Sequence, residues 1–183
     1  MSDWQSLDDI QLLELGKNGD TEAFGALYER YAARVYRFIY AQLGNHLDAE
    51  DLAEEVFLLA WHALPTFEQR GLPFLAFLFR IARNALIDHY RRVGRSQQPI
   101  STEEIKLADP EPGPLEKAIS SAEVEELHRI LHHLNKDQRT VLTLRFFSGL
   151  SPEEIALTMR RSTGTIRVLQ HRALLALRKL LKG

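Results

Sequence analysis

The sequence contains no cysteine among its 183 residues. A disulfide framework and a thiolate metal site are therefore both excluded. Long hydrophobic runs are missing as well, since apolar stretches such as residues 56–60 are far too short to span a bilayer. The first four residues lack the basic-then-apolar pattern of a secretion signal. These absences predict a soluble cytoplasmic protein with no membrane insertion.

Alternating strand patterns are also absent, and nearly every patterned segment has a helical period. The sequence predicts helices over residues 7–15, 21–43, 48–64, 73–92, 115–134, 136–148, 152–159 and 163–181. The apolar stripe of the second helix is interpreted as core and comprises Phe24, Leu27, Tyr28, Tyr31, Val35, Phe38 and Ile39. Residues 95–114 hold four prolines and cannot continue a helix. The predicted fold is therefore all-α, with small domains at residues 1–94 and 115–183 joined by an extended linker at residues 95–114.

The last third of the chain has the pattern of a helix-turn-helix. Ser151 is a suitable N-cap, Pro152 suits the first helical position, and Glu154 completes a capping box. Ser162 offers a second N-cap eleven residues later. Apolar residues at 155, 159, 166 and 169 are spaced so that two short helices bury them against each other. A helix pair of this kind presents its second helix to a DNA major groove, although a helical hairpin that binds nothing would share the pattern.

Acidic and basic residues are concentrated in different segments, although the net charge of the whole chain is only −2. Residues 136–183 hold ten basic and three acidic side chains, and residues 65–97 hold six basic and two acidic ones. Residues 1–64 are the opposite, with twelve acids against four bases. A basic segment on an acidic chain indicates a polyanionic partner. Because the two basic segments lie on separate predicted domains, we expect two contacts along one nucleic acid.

The fourth predicted helix combines aromatic and apolar residues on one stripe with arginines off it. Arginine forms paired hydrogen bonds with phosphate, asparagine can read base edges, and aromatics can stack on exposed bases. Taken alone, this pattern fits a solvated basic face on a core helix equally well.

Two longer motifs resemble a known family. The run DAEDLAEEVF at residues 48–57, followed by FRIARN at residues 79–84, is similar to the second conserved region of bacterial RNA polymerase sigma factors. The segment from Leu134 to Arg178, with GTIR at residues 164–167, resembles the fourth region of the extracytoplasmic function (ECF) group. The resemblance covers almost the whole chain outside the linker and implies a sigma subunit that directs promoter-specific transcription initiation.

The resemblance also implies partners and site residues. Its expected partners are core RNA polymerase, through the clamp helices of the largest subunit and the flap, promoter DNA, and an anti-sigma factor. Residues 65–72 would form a pocket for a flipped base of the −10 element. The residues expected to contact the −10 element are Arg80, Arg83, Asn84, Asp88, Arg91 and Arg92. Those expected to contact the −35 element are Thr165, Arg167, Val168, His171 and Arg172. Those expected to bind core polymerase are Asp51, Leu52, Glu55 and Phe57.

The sequence departs from the family pattern in two places. Phe77 stands where the family usually has tryptophan, and the packing of a large aromatic ring should be preserved. Arg160 and Arg161 stand at the turn of the helix-turn-helix, where the family usually has glycine followed by an apolar residue. An arginine in a left-handed conformation would be strained. Leu174, Leu175 and Leu177, further along the last helix, are expected to face inward.

Other classes of protein find little support in the sequence. His128, His132 and His133 lie near Glu125 and Glu126 on one predicted helix, but no motif supplies a third ligand, so neither a metal nor another cofactor is expected. No glycine-rich phosphate loop or nucleophile elbow occurs, and no enzyme is expected. The alternative that stays open is a stand-alone helix-turn-helix transcriptional regulator, which would bind duplex DNA without polymerase.

Overall fold

The computed structural model describes residues 3–96 and 121–183, and these residues form helices and turns without any strand. The helices are α1 (Asp9–Lys17), α2 (Thr21–Leu43), α3 (His46–Ala63), α4 (Phe74–Ser96), α5 (Ser121–His132), α6 (Lys136–Leu142), α7 (Pro152–Met159) and α8 (Thr163–Lys182). A short 3-10 turn, Leu64–Thr66, follows α3, and a π-helical segment, Thr143–Phe147, follows α6. We call residues 3–96 the first module and residues 121–183 the second module. The all-α class is confirmed. The predicted linker lies outside the described residues, except that residues 95 and 96 continue α4.

Helix α2 forms the centre of the first module and has the bounds that its sequence predicts. The Asp20 carboxylate caps it by accepting hydrogen bonds from the amides of Glu22 and Ala23, each at 3.0 Å. Gly44 ends it in a left-handed conformation with φ of 70°, which glycine adopts without a Cβ penalty. The helix packs against α1, α3 and α4.

The predicted apolar stripe of α2 lies in or against the core. Four of its members are buried, namely Leu27, Val35, Phe38 and Ile39. The three other aromatic residues of the stripe are partly buried and pack at the edge of the core. Phe38 meets Phe79 of α4 edge to face, with ring centroids 5.5 Å apart. The stripe therefore fixes how α4 lies on α2, and the prediction is confirmed.

Several helix boundaries differ from those predicted. Helix α3 begins two residues early because the Asn45 side chain accepts from the amide of Asp48 and caps it. Helix α4 passes through Gly94 instead of ending there, since one glycine costs a helix only about 1 kcal/mol. Residues 136–148 are not one α-helix, because the chain widens into the π-helical segment after Leu142.

The second module is built around the helix-turn-helix. Ser151 Oγ accepts from the amide of Glu154 at 3.1 Å, and the Glu154 carboxylate accepts from the amide of Ser151 at 2.7 Å. This is the predicted capping box at the start of α7. Ile155, Met159 and Ile166 are buried, which holds α7 and α8 together. The predicted bounds of α7 are confirmed.

The two modules pack against each other. Helix α7 contacts α4, and α2 contacts both α5 and the π-helical segment. Buried residues of the second module, including Leu144, Leu150 and Ile155, belong to the same hydrophobic cluster as the core of the first module. The sequence did not indicate this shared core. Separately, none of the helices in the described parts of the chain has the length and apolar character needed to cross a membrane.

Candidate nucleic-acid and polymerase interfaces

Helix α4 places the six residues expected at the −10 element along one side of the first module. Asn84, Asp88, Arg91 and Arg92 are exposed, and Arg83 is half-buried. Asp88 lies 3.8 Å from Arg91, and Glu55 of α3 lies 3.6 Å from Arg92. Exposed ion pairs of this kind contribute little and exchange readily. The arginines of this face can therefore exchange a carboxylate for a phosphate.

Arg80 differs from the other five because it contacts the second module. Its Nε donates to the backbone carbonyl oxygen of Leu157 in α7 at 2.6 Å. Burial, and then the nearby charge of Arg160, lower the pKa of the Arg80 guanidinium. Arg80 is therefore partly buried and is bound to the second module through its Nε.

The loop between α3 and α4 is anchored by one aromatic residue. Phe67 is buried and stacks at a tilt on Phe77, with ring centroids 4.4 Å apart. Glu68, Gln69 and Arg70 are exposed beside it. The loop is thus held at Phe67 while its polar side chains are free to meet a ligand. Phe77 supplies the aromatic contact expected at its position.

Helix α3 presents only part of the set expected to bind polymerase. Asp51 is exposed and Glu55 is partly exposed. Leu52 and Phe57 are instead buried, at 3% and 4% exposure, and pack in the core of the first module. Both therefore stabilise α3 through the core, and neither side chain forms part of its exposed acidic face.

An apolar groove between α2 and α3 was not anticipated. It encloses about 430 Å³ and is lined by Thr21, Phe24, Tyr28, Glu54, Phe57, Leu58 and Trp61. Leu58 is 61% exposed. Helical spacing could have indicated this face, because Glu54, Leu58 and Trp61 follow Asp51 at three, seven and ten residues. The acidic side of α3 therefore has an apolar edge.

Helix α8 displays all five residues expected at the −35 element. Its N-cap, Ser162, accepts from the amide of Thr165 at 3.1 Å. Ile166 and Ala173 are buried, so the opposite face of α8 is exposed to solvent. The exposed set is Thr165, Arg167, Val168, His171 and Arg172. Leu174 and Leu175 are exposed at 41% and 45%, so the expectation that they face inward is wrong, while Leu177 packs partly buried against a small second cluster.

The turn between α7 and α8 has the strained geometry that the sequence suggested. Arg160 has φ of 54° and ψ of 47°, and its amide donates to the carbonyl of Ala156. Arg161 instead pairs with Asp137 of α6 at 2.7 Å. Arg160 therefore forms the turn in a left-handed conformation, and the ion pair of Arg161 connects the turn to α6.

One of the histidines near the start of the second module contacts the first module. Within residues 3–96 and 121–183, no group of three or more His, Cys, Asp or Glu side chains is placed to hold a metal ion. His128 instead contacts the first module, with Nδ1 3.0 Å from the carbonyl oxygen of Ala41. Its ring also lies edge to face with His132, with centroids 4.1 Å apart.

Known proteins show the same two regions in the same order. Residues 27–96 match Sigma-70 region 2, and residues 130–179 match Sigma-70 region 4. The chain is 37% identical to the ECF RNA polymerase sigma factor SigD of Mycobacterium tuberculosis H37Rv, covering 85% of this chain and 76% of SigD. It is 33% identical to the ECF RNA polymerase sigma-E factor of Escherichia coli K12, and the match covers 89% of this chain and 88% of that factor. It is 36% identical to the ECF RNA polymerase sigma factor BldN of Streptomyces coelicolor over 94% of this chain, and it spans 65% of BldN.

Solved structures share the fold across both modules. CnrH, solved in complex with the cytosolic domain of CnrY, gives a TM-score of 0.74 at 26% identity, covering 95% of this chain and 97% of CnrH. The sigma factor RpoE of Bartonella quintana, solved with the anti-sigma factor NepR, gives a TM-score of 0.70 at 28% identity. The match covers 88% of this chain and 98% of RpoE.

Two helical modules, one carrying region 2 and one carrying a region 4 helix-turn-helix, define a sigma subunit, the class of protein that directs RNA polymerase in transcription initiation. Within that class, the chain belongs to the ECF RNA polymerase sigma factors.

Proposed function

We propose that this sigma subunit grips one promoter at two places through the exposed basic faces of α4 and α8. One observation carries the proposal: each module exposes one basic face, on α4 and on α8, and these are the helices to which the resemblance assigns the −10 and −35 contacts. The −10 contacts would come from Arg80, Arg83, Asn84, Asp88, Arg91 and Arg92. The −35 contacts would come from Thr165, Arg167, Val168, His171 and Arg172. No catalytic step is assigned to the chain.

The loop over residues 65–72 is proposed to receive a base that leaves the DNA stack. Melting without ATP must come from trapping unstacked bases, and each unstacked step costs a few kcal/mol. Phe67 fixes the loop from below, and the exposed Gln69 and Arg70 supply hydrogen-bond donors beside it. A loop already anchored at Phe67 is suited to this task, because less order has to be created on binding.

The acidic face of α3 is proposed to dock on core polymerase. Asp51 and Glu55 supply negative charge, and Leu58 and Trp61 supply an apolar edge at the groove between α2 and α3. Charge of this kind steers association with a basic partner helix, and an adjoining apolar groove can anchor it. Leu58 and Trp61 replace the buried Leu52 and Phe57 as the apolar members of the docking surface.

The chain is further proposed to act in the cytoplasm, with the polymerase, and to be held inactive by an anti-sigma factor. The support is that CnrH and the Bartonella quintana sigma factor, which share the arrangement of both modules, were each solved with a bound partner, in the second case an anti-sigma factor.

Run-off transcription with core polymerase on genomic fragments tests the function directly. We expect the chain to make core polymerase start at a defined set of promoters and to co-purify with it. If the chain binds duplex DNA by itself and never redirects polymerase, it is a stand-alone regulator and the proposal is wrong. The variant Asp51→Lys should bind core polymerase more weakly, whereas Glu29→Lys, with the same charge change at an exposed position of α2, should bind normally.

A further inference from the structure

The groove between α2 and α3 is walled by aromatic rings. Phe24 and Tyr28 of α2 and Phe57 and Trp61 of α3 line its volume of about 430 Å³. The ring centroid of Phe24 lies 5.0 Å from that of Trp61 and 6.4 Å from that of Phe57. Phe57 in turn lies 4.8 Å from Tyr28. The planes of these three pairs meet at 56°, 70° and 68°, so the rings line a concave surface instead of stacking flat. The groove therefore offers mainly aromatic surface to a ligand.

The charge at this groove is negative. Glu54 lines it, and its lining in the part of the chain that the structure describes includes no lysine, arginine or histidine. Burial, and then the charges of Glu54 and Glu50, raise the pKa of the Tyr28 hydroxyl, so both carboxylates act on the groove. The Glu54 side chain is exposed and forms no hydrogen bond or ion pair with a described residue. Its carboxylate is therefore available to a ligand.

The rings of the groove lie over no cation of the chain itself. Within residues 3–96 and 121–183, the cation–π contacts lie elsewhere, with Lys17 over Phe67 and Arg34 over Tyr31. The face of an aromatic ring attracts a cation within about 6 Å of its centroid, most strongly when the ring belongs to tryptophan. Four rings beside an available carboxylate thus combine the two features that bind a cation with an apolar stem.

Arginine fits this groove better than leucine or lysine does. The guanidinium is planar, stacks on aromatic faces and is weakly hydrated, so it loses less than an ammonium group on leaving water. Its methylene stem can pack along apolar surface such as that of Leu58. Its N–H groups can also donate charge-assisted hydrogen bonds to the Glu54 carboxylate. A leucine would bury the same rings and gain nothing from that charge.

We propose that the groove binds an arginine side chain of the basic polymerase helix that docks on α3. The guanidinium stacks among the aromatic rings, and Glu54 accepts hydrogen bonds from it. Tryptophan, tyrosine and arginine are the residues most enriched at the energetic centres of protein interfaces. The groove is then the anchor of the docking surface, while Asp51 and Glu55 steer the approach. This inference rests on the proposed function for the identity of the partner, whereas the chemistry of the groove can be tested without polymerase.

A titration of the free protein tests the groove. The probe is N-acetyl-arginine amide, and its control is N-acetyl-citrulline amide, which has nearly the same shape without the charge. At equal ionic strength, we expect the arginine probe to shift the NMR signals of the Trp61 indole and the Phe24 ring, and the citrulline probe to shift them much less. Glu54→Gln should weaken binding of the arginine probe about twofold to fivefold, as loss of an exposed ion pair implies. Glu29→Gln, at an exposed residue of α2 outside the groove, should leave it unchanged. Equal shifts with both probes, or no shift with either, would overturn the proposal.

Fluorination of Trp61 gives a second readout, which a merely apolar groove would not change. Fluorine withdraws negative charge from the face of the indole and nearly preserves its shape, so it weakens the attraction for a cation. In a Trp4→Phe background, Trp61 is the only tryptophan. With increasingly fluorinated tryptophan in that background, affinity for core polymerase should fall stepwise, by about threefold to thirtyfold in all. In a Trp61→Phe background, where only Trp4 carries fluorine, affinity should stay constant. Constant affinity in the first series would overturn the proposal.

The two measurements separate this inference from the proposed function. Binding of core polymerase without either signature refutes the arginine site alone. Binding of the arginine probe by a chain that does not bind core polymerase refutes the proposed docking alone and leaves the chemistry of the groove in place.

Discussion

Arg160 stands where a glycine would be unstrained. Among residues 3–96 and 121–183, it is the only non-glycine residue with a positive φ. A non-glycine residue in this region costs of order 1–3 kcal/mol, because Cβ approaches the backbone. The turn is retained because α7 and α8 are both fixed by buried residues and by caps on their first turns. The backbone strain is therefore confined to Arg160, and the packing and capping of α7 and α8 maintain it.

We expect Arg160→Gly to raise the free energy of unfolding by about 1 kcal/mol. Relief of the left-handed strain exceeds the entropy that glycine adds to the unfolded chain, which is about 0.5–1 kcal/mol. Urea denaturation followed by circular dichroism measures the change. Arg160→Ala is the matched control, since it removes the same charge and keeps Cβ. Equal stability of the two variants would show that charge, and not backbone strain, is the cause.

His132 links stability to pH. Partial burial lowers the pKa of its imidazole, and so does the nearby positive charge of His128, Arg139 and His133. Because the folded pKa lies below that of the unfolded chain, near 6.5, the unfolded state binds more protons between the two values. Stability contributed by His132 is therefore complete above about pH 6.5 and is lost as the pH falls through this window. NMR titration should give an imidazole midpoint below 6.5, and a midpoint at or above that value would contradict the assignment.

In helix α8, the N-cap and the buried residues together determine which face is exposed. The Ser162 cap fixes where the helix begins, and the buried Ile166 fixes which side faces α7. Arg167 is consequently turned to solvent, and its only described ion pair is a 3.6 Å contact with Glu153 in which both side chains are largely exposed. Such a pair is weak. Arg167 can therefore exchange it for a contact with DNA.

Arg167→Ala should weaken binding to the −35 element by about 1–3 kcal/mol and relax selectivity there. The reason is that a side chain in the first turns of a recognition helix reaches base edges or phosphates. Transcription from promoters with substituted −35 sequences measures the effect. Glu153→Ala releases the same ion pair and should keep the selectivity of the wild type. Unchanged promoter selectivity in Arg167→Ala would argue against this position of the recognition helix.

The elements that sequence reasoning missed depend on contacts between helices. The π-helical segment Thr143–Phe147 coincides with residues packed on α2 of the first module. Local bonds also take part, because Thr140 and Thr143 donate from their hydroxyls to the carbonyls of Lys136 and Arg139. Side-chain bonds of this type compete with regular helix geometry. Periodicity alone could not reveal the change of helix type.

At the scale of the molecule, one hydrophobic core serves both modules. Leu150, in the turn before α7, is fully buried and belongs to the cluster that contains the core of the first module. The carbonyl of Leu150 also accepts from Arg145 at 3.1 Å, which fixes the turn. Because a shared core couples the modules, we expect them to unfold together.

Leu150→Ala should lower the stability of both modules by about 2–5 kcal/mol, the usual cost of truncating a buried leucine. Both tryptophans, Trp4 and Trp61, lie in the first module, so their fluorescence reports that module while far-ultraviolet circular dichroism reports the whole chain. The two transitions should coincide and shift together. Leu181→Ala, at a residue 70% exposed, is the control and should change neither. A fluorescence transition that stays in place in Leu150→Ala would show independent modules.

The sequence by itself determined the class of the protein and most of its helices. Caps such as Asp20, Ser151 and Ser162, the stop at Gly44 and the apolar stripes act locally, so they can be recognised along the chain. The faces of α4 and α8 follow from the same periodicity. Only the tertiary structure decided that Leu52 and Phe57 lie inside and that Arg80 is bound to Leu157. Burial and contacts between modules depend on residues far apart in the chain, whose proximity no local pattern records.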